Sequence, residues 1–181
     1  MEPITTERLL LRSFQNEDGQ DLYEYLSDPN VVAFEPYEVY TREQAMEEAK
    51  NRADMECFIA VCLKDSGKLI GNIYLQKGEF DTWELGYVFN ASYHGKGYAT
   101  EAAKSMVHKA FYDWGARRIV AMCNPLNKPS WHLLERLGMR REGTLLQNIY
   151  FKCDTEGNPI WLDTYEYAIL KEEWKFNDKQ Q

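Results

Sequence analysis

The sequence predicts one α/β (α+β) domain, built on a mixed, mostly antiparallel twisted sheet with helices on both faces. Three β-rich runs follow one another with no helix between them, a pattern typical of antiparallel strands. A strand–helix–strand segment comes next, and a short helix and two further strands follow, so the sheet is mixed. With 181 residues, of which 44% are hydrophobic, the chain is long enough to bury one core.

The chain opens with a strand and a helix. Residues 8–14 alternate weakly between apolar and polar side chains, which predicts the first strand. Asn16 is a residue type that caps helices, and it predicts a helix over 16–27 that ends before Asp28-Pro29.

A second helix is predicted over 41–54, because Thr41 and Gln44 have the spacing of a capping box. The segment before it, 31–40, is rich in aromatic residues and lacks a helical period, so it is predicted to be a loop.

Three strands follow. The β-rich runs 57–63 and 69–75 are joined by Lys-Asp-Ser-Gly at 64–67, a turn signal that predicts a hairpin. Residues 83–90 form the next strand. A long helix is then predicted over 97–114, where Gly115 ends it.

The last third is predicted to contain three strands and one helix. The sequence patterns place a strand at 118–123, a helix at 130–137, strands at 145–153 and 161–170 around a turn at 155–158, and a polar tail. No linker divides the chain, so one domain spans 1–181, with its core at about 7–174.

Composition argues against several classes of function. The net charge of −8 is unfavourable for nucleic acid or anionic membrane, since both attract a basic face. The four cysteines and three histidines lack metal-ligand spacing, so we expect no metal and reduced thiols. The N-terminus has an apolar run of only three residues, which predicts no signal peptide or membrane span and a cytoplasmic location. The strands near the C-terminus are candidates for pairing in a homodimer.

The segment 84–102 carries the main functional signal. A strand ends, a turn with Gly95 and Gly97 follows, and a long helix begins inside that turn. Glycines allow close approach of an anion to the backbone, and the first turn of a helix presents unpaired N–H groups. This arrangement predicts a pyrophosphate site, although a strand-to-helix turn without a ligand has the same pattern. A P-loop needs GxxxxGK[ST] and a dinucleotide site needs GxGxxG, and neither motif is present here.

This segment resembles the acetyl-CoA motif of the GNAT superfamily of N-acetyltransferases, (Q/R)-x-x-G-x-(G/A), with Gly97 and Ala99 at the small positions and His94 in the Gln or Arg position. A second block, 124–139, is similar to the N-x-x-N-x-x-S pattern of the branch that includes the ribosomal-protein N-terminal alanine and serine acetyltransferases. The opening at 6–12 and the closing at 165–174 also resemble that branch. The resemblance covers nearly the whole chain.

The resemblance implies a GNAT-like fold in which the strands at 83–90 and 118–123 separate and hold acetyl-CoA, a co-substrate, between them. It implies cofactor contacts from Tyr87, Val88, Phe89, His94, Gly95, Lys96, Gly97, Tyr98, Ala99, Thr100, Asn124, Asn127 and Ser130. Lys96 and Arg136 are candidates for added positive charge near the CoA phosphates.

Acyl transfer to an amine needs a base, a polarised carbonyl and a proton donor for the thiolate. Glu84 is the candidate base if partial burial raises its pKa, and a solvated glutamate is the alternative. Ser130 is the candidate donor to the leaving sulfur, with a plain helix N-cap as the alternative. Tyr165 and Tyr167 are rival donors.

The resemblance also places the acceptor amine near the first helices. An acidic and aromatic lip for a cationic amine is predicted there, formed by Phe34, Glu35, Tyr37, Glu38 and Tyr40. The predicted function is N-acetyl transfer to a protein N-terminus, a polyamine or a small-molecule amine. The alternatives are an acetyl-CoA sensor without turnover and another phosphate-binding α/β protein.

Overall fold

A computed structural model describes residues 1–174, which form an eight-stranded, mostly antiparallel sheet with four α-helices. The strands are β1 (Ile4–Thr5), β2 (Leu9–Ser13), β3 (Phe58–Leu63), β4 (Leu69–Lys77), β5 (Thr82–Phe89), β6 (Arg118–Cys123), β7 (Arg140–Cys153) and β8 (Pro159–Leu170). Their order in the sheet is β1-β2-β3-β4-β5-β6-β8-β7. The helices are α1 (Gly19–Leu26), α2 (Arg42–Ala53), α3 (Tyr98–Tyr112) and α4 (Lys128–Arg136).

The two sheet faces carry different cores, which explains the alternation of side chains along the strands. On one face α3 and α4 pack on β2 to β6 and β8, and Met106, Phe111 and Ile119 are fully buried there. On the other face α1 and α2 cover β2 to β4 around Leu22 and Tyr25. The residues of β5 and β6 that point to this second face are not in its core cluster, apart from partly buried Val88. One face of β5 and β6 is therefore left accessible beside α1 and α2.

The helix ends follow the predicted sequence signals. The capping box of α2 is confirmed, because Gln44 N–H donates to Thr41 Oγ1 at 3.2 Å and Thr41 N–H donates to Gln44 Oε1 at 2.8 Å. Gly115, at φ +73°, ends α3, and the N–H of Ala116 bonds the carbonyl of Ala110 at 2.8 Å. Among the described helices, none is both long and apolar enough to cross a lipid bilayer.

The N-terminus of α1 differs from the prediction. Residues 16–18 form a separate 3₁₀ turn, and α1 begins at Gly19. The buried carboxylate of Asp18, rather than Asn16, organises this turn, since it accepts the N–H of Gln15 at 2.8 Å and pairs with Arg12 at 2.7 Å. The prediction that Asn16 caps the helix is therefore wrong.

Two strands also differ from the prediction. Strand β7 begins at Arg140 rather than residue 145, because its first residues are exposed and polar and give no hydrophobic alternation. The short strand β1 was not predicted. The predicted polar tail beyond residue 174 lies outside the described residues.

Candidate active site

Strands β5 and β6 separate in the middle of the sheet. They form a parallel pair through Thr82–Arg118, Trp83–Ile119 and Glu84–Val120. Beyond Glu84, β5 pairs only with β4 within residues 1–174, whereas β6 continues along β8 to Cys123. The predicted divergence of these two strands is confirmed, and it leaves one backbone edge of β5 facing a gap.

The loop between β5 and α3 lies at the open end of this gap. Gly95 and Gly97 adopt φ +72° and +83°, a backbone conformation that glycine reaches without strain. Within residues 1–174, no acceptor is recorded for the backbone N–H groups of residues 95–100. Unpaired N–H groups at the positive end of a helix dipole favour a bound anion, which suits the predicted phosphate site, and residues 95–100 are called the cradle below.

Charged and aromatic side chains surround the cradle. The His94 ring donates from Nε2 to the carbonyl of Phe89 at 2.9 Å, which fixes its tautomer and ties the loop to the end of β5. Lys96 folds back onto its own loop, with Nζ 3.1 Å from the carbonyl of Ser92. Arg136, at the end of α4, donates to Thr100 Oγ1 at 3.3 Å and brings positive charge to the first turn of α3.

A hydrogen bond joins β5 to α4 beside the gap. The hydroxyl of Tyr87 lies 2.9 Å from the carbonyl of Ser130 and 3.0 Å from Ser130 Oγ. Asn127 is the N-cap of α4, since its Oδ1 accepts the N–H of Ser130 at 3.3 Å. The N-cap alternative for Ser130 is therefore wrong, and the Ser130 hydroxyl interacts with Tyr87 instead.

Glu84 lies on the opposite face of the sheet from Tyr87. Side chains on either side of it, Trp83 and Leu85, belong to the core under α3, so the alternation of the strand directs Glu84 to the accessible face. It lines a shallow groove of about 430 Å³ with Gln76, Gly78, Glu79, Phe80, Thr82 and Val120. The side chain is exposed, so the partial burial proposed for a catalytic base is absent.

The other predicted cofactor contacts differ in what they expose to the gap. Tyr98 and Ala99 form the first turn of α3, and Val88 is partly buried on the α1–α2 face. Phe89 is buried in the core, so only its backbone faces the gap. The oxygen of Asn124 is used locally, because it accepts the N–H of Leu126 at 2.9 Å.

The rival tyrosines are held by neighbours. The hydroxyl of Tyr167 donates to Glu135 at 3.1 Å. Burial, and to a smaller extent this hydrogen bond, raises the pKa of Tyr167 to about 12. The ring of Tyr165 stacks under Arg141 at 4.2 Å. Tyr165 faces Cys123, the last residue of β6, and is therefore closer to the gap along the strand register.

Both carboxylates of the predicted acidic lip interact with other residues of the protein. Glu38 pairs with Lys152 of β7 at 3.1 Å. Burial raises the pKa of Glu35, although a hydrogen bond from Tyr37 and the nearby charge of Arg52 act to lower it. Glu38 is therefore already ion-paired, and Glu35 is partly buried.

Sequence reasoning assigned no role to Arg8 and Thr6, which the structure places against the cradle. Both contact Glu101 in the first turn of α3, 93 and 95 positions away in the chain. The only available signal was their place in the opening block of the family resemblance, and such distant contacts have no local sequence pattern. Within the described residues, no group of three His, Cys, Asp or Glu side chains is placed to hold a metal ion.

Comparison with known proteins gives the family. The Acetyltransferase (GNAT) domain matches residues 8–140. The chain belongs to the GNAT family of acetyltransferases. This GNAT protein is 45% identical over 174 residues to the N-acetyltransferase YnaD of Bacillus subtilis (strain 168), a match covering 94% of this chain and 98% of that one.

Other similarities agree with this assignment. A GNAT-family acetyltransferase from Bacillus anthracis has a crystal structure that is 38% identical, with a TM-score of 0.84 over 94% of this chain and 99% of that one. The [ribosomal protein uS5]-alanine N-acetyltransferase of Escherichia coli (strain K12) is 26% identical over 185 residues, covering 94% of this chain and 92% of that enzyme. This GNAT protein is thus an acyl-CoA-dependent N-acetyltransferase, and its similarity to a ribosomal-protein alanine acetyltransferase agrees with the resemblance predicted from its sequence.

Proposed function

We propose that this enzyme transfers the acetyl group of acetyl-CoA to a primary amine by direct attack of the amine on the thioester. The observation that carries the proposal is the gap between β5 and β6, which opens after Glu84 and ends at the unpaired N–H groups of residues 95–100. A long thioester with a pyrophosphate at one end fits a backbone edge that leads to an anion site.

The residues along the gap suit the parts of this co-substrate. The N–H groups of residues 95–100 hold the pyrophosphate, and Arg136 adds a positive charge beside them. The free edge of β5 supplies backbone partners for the pantetheine amides. Oδ1 of Asn127 already accepts the Ser130 N–H, which leaves its two amide hydrogens and one lone pair of the oxygen for the pantetheine amides.

The two proposed catalytic residues lie on opposite faces of the sheet. Glu84 is exposed on the accessible face, so we propose that it takes the amine proton as a solvated carboxylate, directly or through water, as the new C–N bond forms. Ser130, beside Tyr87 on the α4 face, donates a hydrogen bond to the thiolate that leaves when the C–S bond breaks. Ser130 passes the proton of this hydrogen bond to sulfur and regains one from solvent, while Glu84 releases the amine proton to solvent, so CoA leaves as a thiol and the protons balance.

The acceptor is proposed to enter along the accessible face, through the groove that contains Glu79 and Glu84. Both side chains are exposed, so their carboxylates can attract the cationic form of an amine. A protein N-terminus, a polyamine and a small-molecule amine all have the required chemistry. Because the chain is similar to a ribosomal-protein alanine acetyltransferase, we would test peptide N-termini first.

The test is release of free thiol from acetyl-CoA across a panel of amines, namely N-terminal peptides, polyamines and aminoglycosides. Turnover with one class supports the proposal and names the acceptor class, and mass spectrometry of the product shows the acetylated nitrogen. Tight CoA binding with no turnover on any amine of the panel contradicts it and favours a sensor. Absence of CoA binding contradicts the assignment of the cradle.

A further inference from the structure

The turn between β1 and β2 packs against the start of α3. Arg8 is the central residue of this contact. Its Nε donates to Glu101 Oε2 at 2.7 Å, and its own backbone N–H donates to Glu101 Oε1 at 2.9 Å. Its Nη1 donates to the carbonyl of Lys96 at 2.9 Å, and its guanidinium lies over the ring of Tyr98 at 4.5 Å. One side chain therefore connects the loop and the first turn of α3.

Thr6 completes the contact. Its hydroxyl donates to Glu101 Oε1 at 2.7 Å, and it accepts the N–H of Leu9 at 3.0 Å. The carboxylate of Glu101 thus receives three hydrogen bonds from the N-terminal turn, and its side chain is only 17% exposed. This arrangement holds Glu101 in one orientation.

The position of Glu101 creates an electrostatic problem for a phosphate site. The residue lies in the first turn of α3, next to the N–H groups that would receive the pyrophosphate. A carboxylate there stabilises the helix but repels a bound anion. The guanidinium of Arg8, paired with Glu101 at 2.7 Å, cancels this charge.

The bond to Lys96 has a geometric consequence. In a planar trans peptide the carbonyl and the following N–H point in opposite directions. Because Arg8 holds the Lys96 carbonyl on the side of the N-terminal turn, the N–H of Gly97 is directed to the other side. Within the described part of the chain, no acceptor is recorded for that N–H.

We propose that Arg8 is a positioning residue for the co-substrate: it neutralises Glu101 and turns the Gly97 N–H toward the pyrophosphate. The inference rests on the proposed acetyl-CoA site, and it adds a role for the N-terminal turn, which does not itself contact the ligand. Arg8 acts through the loop and through Glu101.

The test compares two acetyl donors, because only one of them reaches the cradle. Acetyl-CoA carries the pyrophosphate, and S-acetylpantetheine ends before it. In Arg8→Ala we expect kcat/KM for acetyl-CoA to fall about tenfold, as for loss of a charged hydrogen bond. We expect kcat/KM for S-acetylpantetheine to stay within about twofold of the wild-type value, since a positioning role leaves the chemical step intact. An equal loss with both donors, or no loss with either, overturns the proposal.

Two more variants separate the electrostatic effect from damage to the fold. Arg8→Ala/Glu101→Gln removes both charges, so we expect tighter CoA binding by calorimetry than in Arg8→Ala alone. If the double variant binds CoA no more tightly than Arg8→Ala, Arg8 does not act by neutralising Glu101. Arg8→Lys keeps the positive charge, so it shows whether a loss in Arg8→Ala comes from the missing charge or from poor folding. We expect Arg8→Lys to bind CoA more tightly than Arg8→Ala.

The matched control is Arg140→Ala, because Arg140 is ion-paired like Arg8, in its case with Glu142 and Glu173, and has a similar exposure of 45% against 41% for Arg8. It lies away from the cradle at the start of β7, and we expect unchanged use of both donors. If the wild-type protein binds no CoA, the proposed function fails. If it binds CoA and Arg8→Ala binds equally, the proposed function stands and this inference fails.

Discussion

The hydroxyl of Tyr87 on β5 lies 3.0 Å from Oγ of Ser130 on α4 and 2.9 Å from the carbonyl of the same residue. Tyr87 has a single hydroxyl hydrogen, within reach of both this carbonyl and Oγ, and when Tyr87 donates to Oγ the Ser130 hydrogen stays available for another acceptor. The two groups join the strand and the helix on either side of the gap. The orientation of the proposed proton donor therefore depends on a residue of β5.

Removal of the Ser130 hydroxyl is expected to affect the chemical step. We predict that Ser130→Ala lowers kcat about 100-fold, a usual effect for loss of a group that assists proton transfer, and leaves the Kd for CoA within about twofold. Single-turnover kinetics and calorimetry measure the two quantities. Unchanged kcat would remove Ser130 from the mechanism.

Tyr87→Phe tests whether positioning of Ser130 matters. The ring stays in place and only the hydroxyl is lost, so we expect a decrease of about 1 kcal/mol in the free energy of unfolding and a smaller decrease in kcat than for Ser130→Ala. Urea unfolding and steady-state kinetics test both values. Tyr112→Phe, which removes the hydroxyl of a tyrosine that is 53% exposed, is the matched control and should change neither. A wild-type kcat in Tyr87→Phe would contradict the positioning role.

Glu84→Gln tests the proposed base. The variant keeps the shape of the side chain and loses the proton acceptor, so we predict a decrease in kcat of about 100-fold at neutral pH, with the Kd for CoA unchanged. A higher pH should restore part of the rate, because more of the amine is then deprotonated without help. Glu79→Gln, in the same groove, is expected to raise KM for the acceptor while kcat is retained. The same pH–rate profile in Glu84→Gln and the wild type would exclude Glu84 as the base.

Most of the fold could be predicted because its signals are local. The capping box of Thr41, the hairpin at 64–67 and the glycine at the end of α3 each act within a few residues. Separation of β5 from β6 was expected only through the family resemblance, because the sequence of a single strand does not determine which strand it pairs with. The sequence also did not show that Glu38 is neutralised by Lys152, 114 positions away.

Gly97→Ala tests the cradle. Gly97 adopts φ +83°, and a Cβ there would lie 3.3 Å from Arg8 Nη2, so a methyl group strains the backbone and disturbs the Arg8 contact. We predict at least a tenfold increase in the Kd for CoA. Gly115→Ala is the control, because Gly115 has a similar φ of +73° with nothing within 4 Å of a Cβ. Both variants should lose about 1 kcal/mol of stability, and only Gly97→Ala should bind CoA more weakly. Equal CoA affinity in the two variants would place the cofactor elsewhere.

The thiol of Cys123, at the end of β6, provides a test that depends on pH. Burial raises its pKa to about 11, although a hydrogen bond from Ser130 and the charge of Arg141 act in the opposite direction. Because the folded pKa is above that of a free thiol, about 8.5, this residue contributes stability below pH 8.5 that is lost as the pH rises toward 11. The stability of the wild type should therefore decrease relative to Cys123→Ala over this range, as urea unfolding at a series of pH values would measure.

The same burial should protect Cys123 from alkylation. At pH 8, where about one Cys123 thiol in a thousand is ionised, iodoacetamide should modify exposed Cys153 and spare Cys123. Equal alkylation of the two cysteines in the folded protein would show that the end of β6 is open to solvent and that its thiol is not buried against α4.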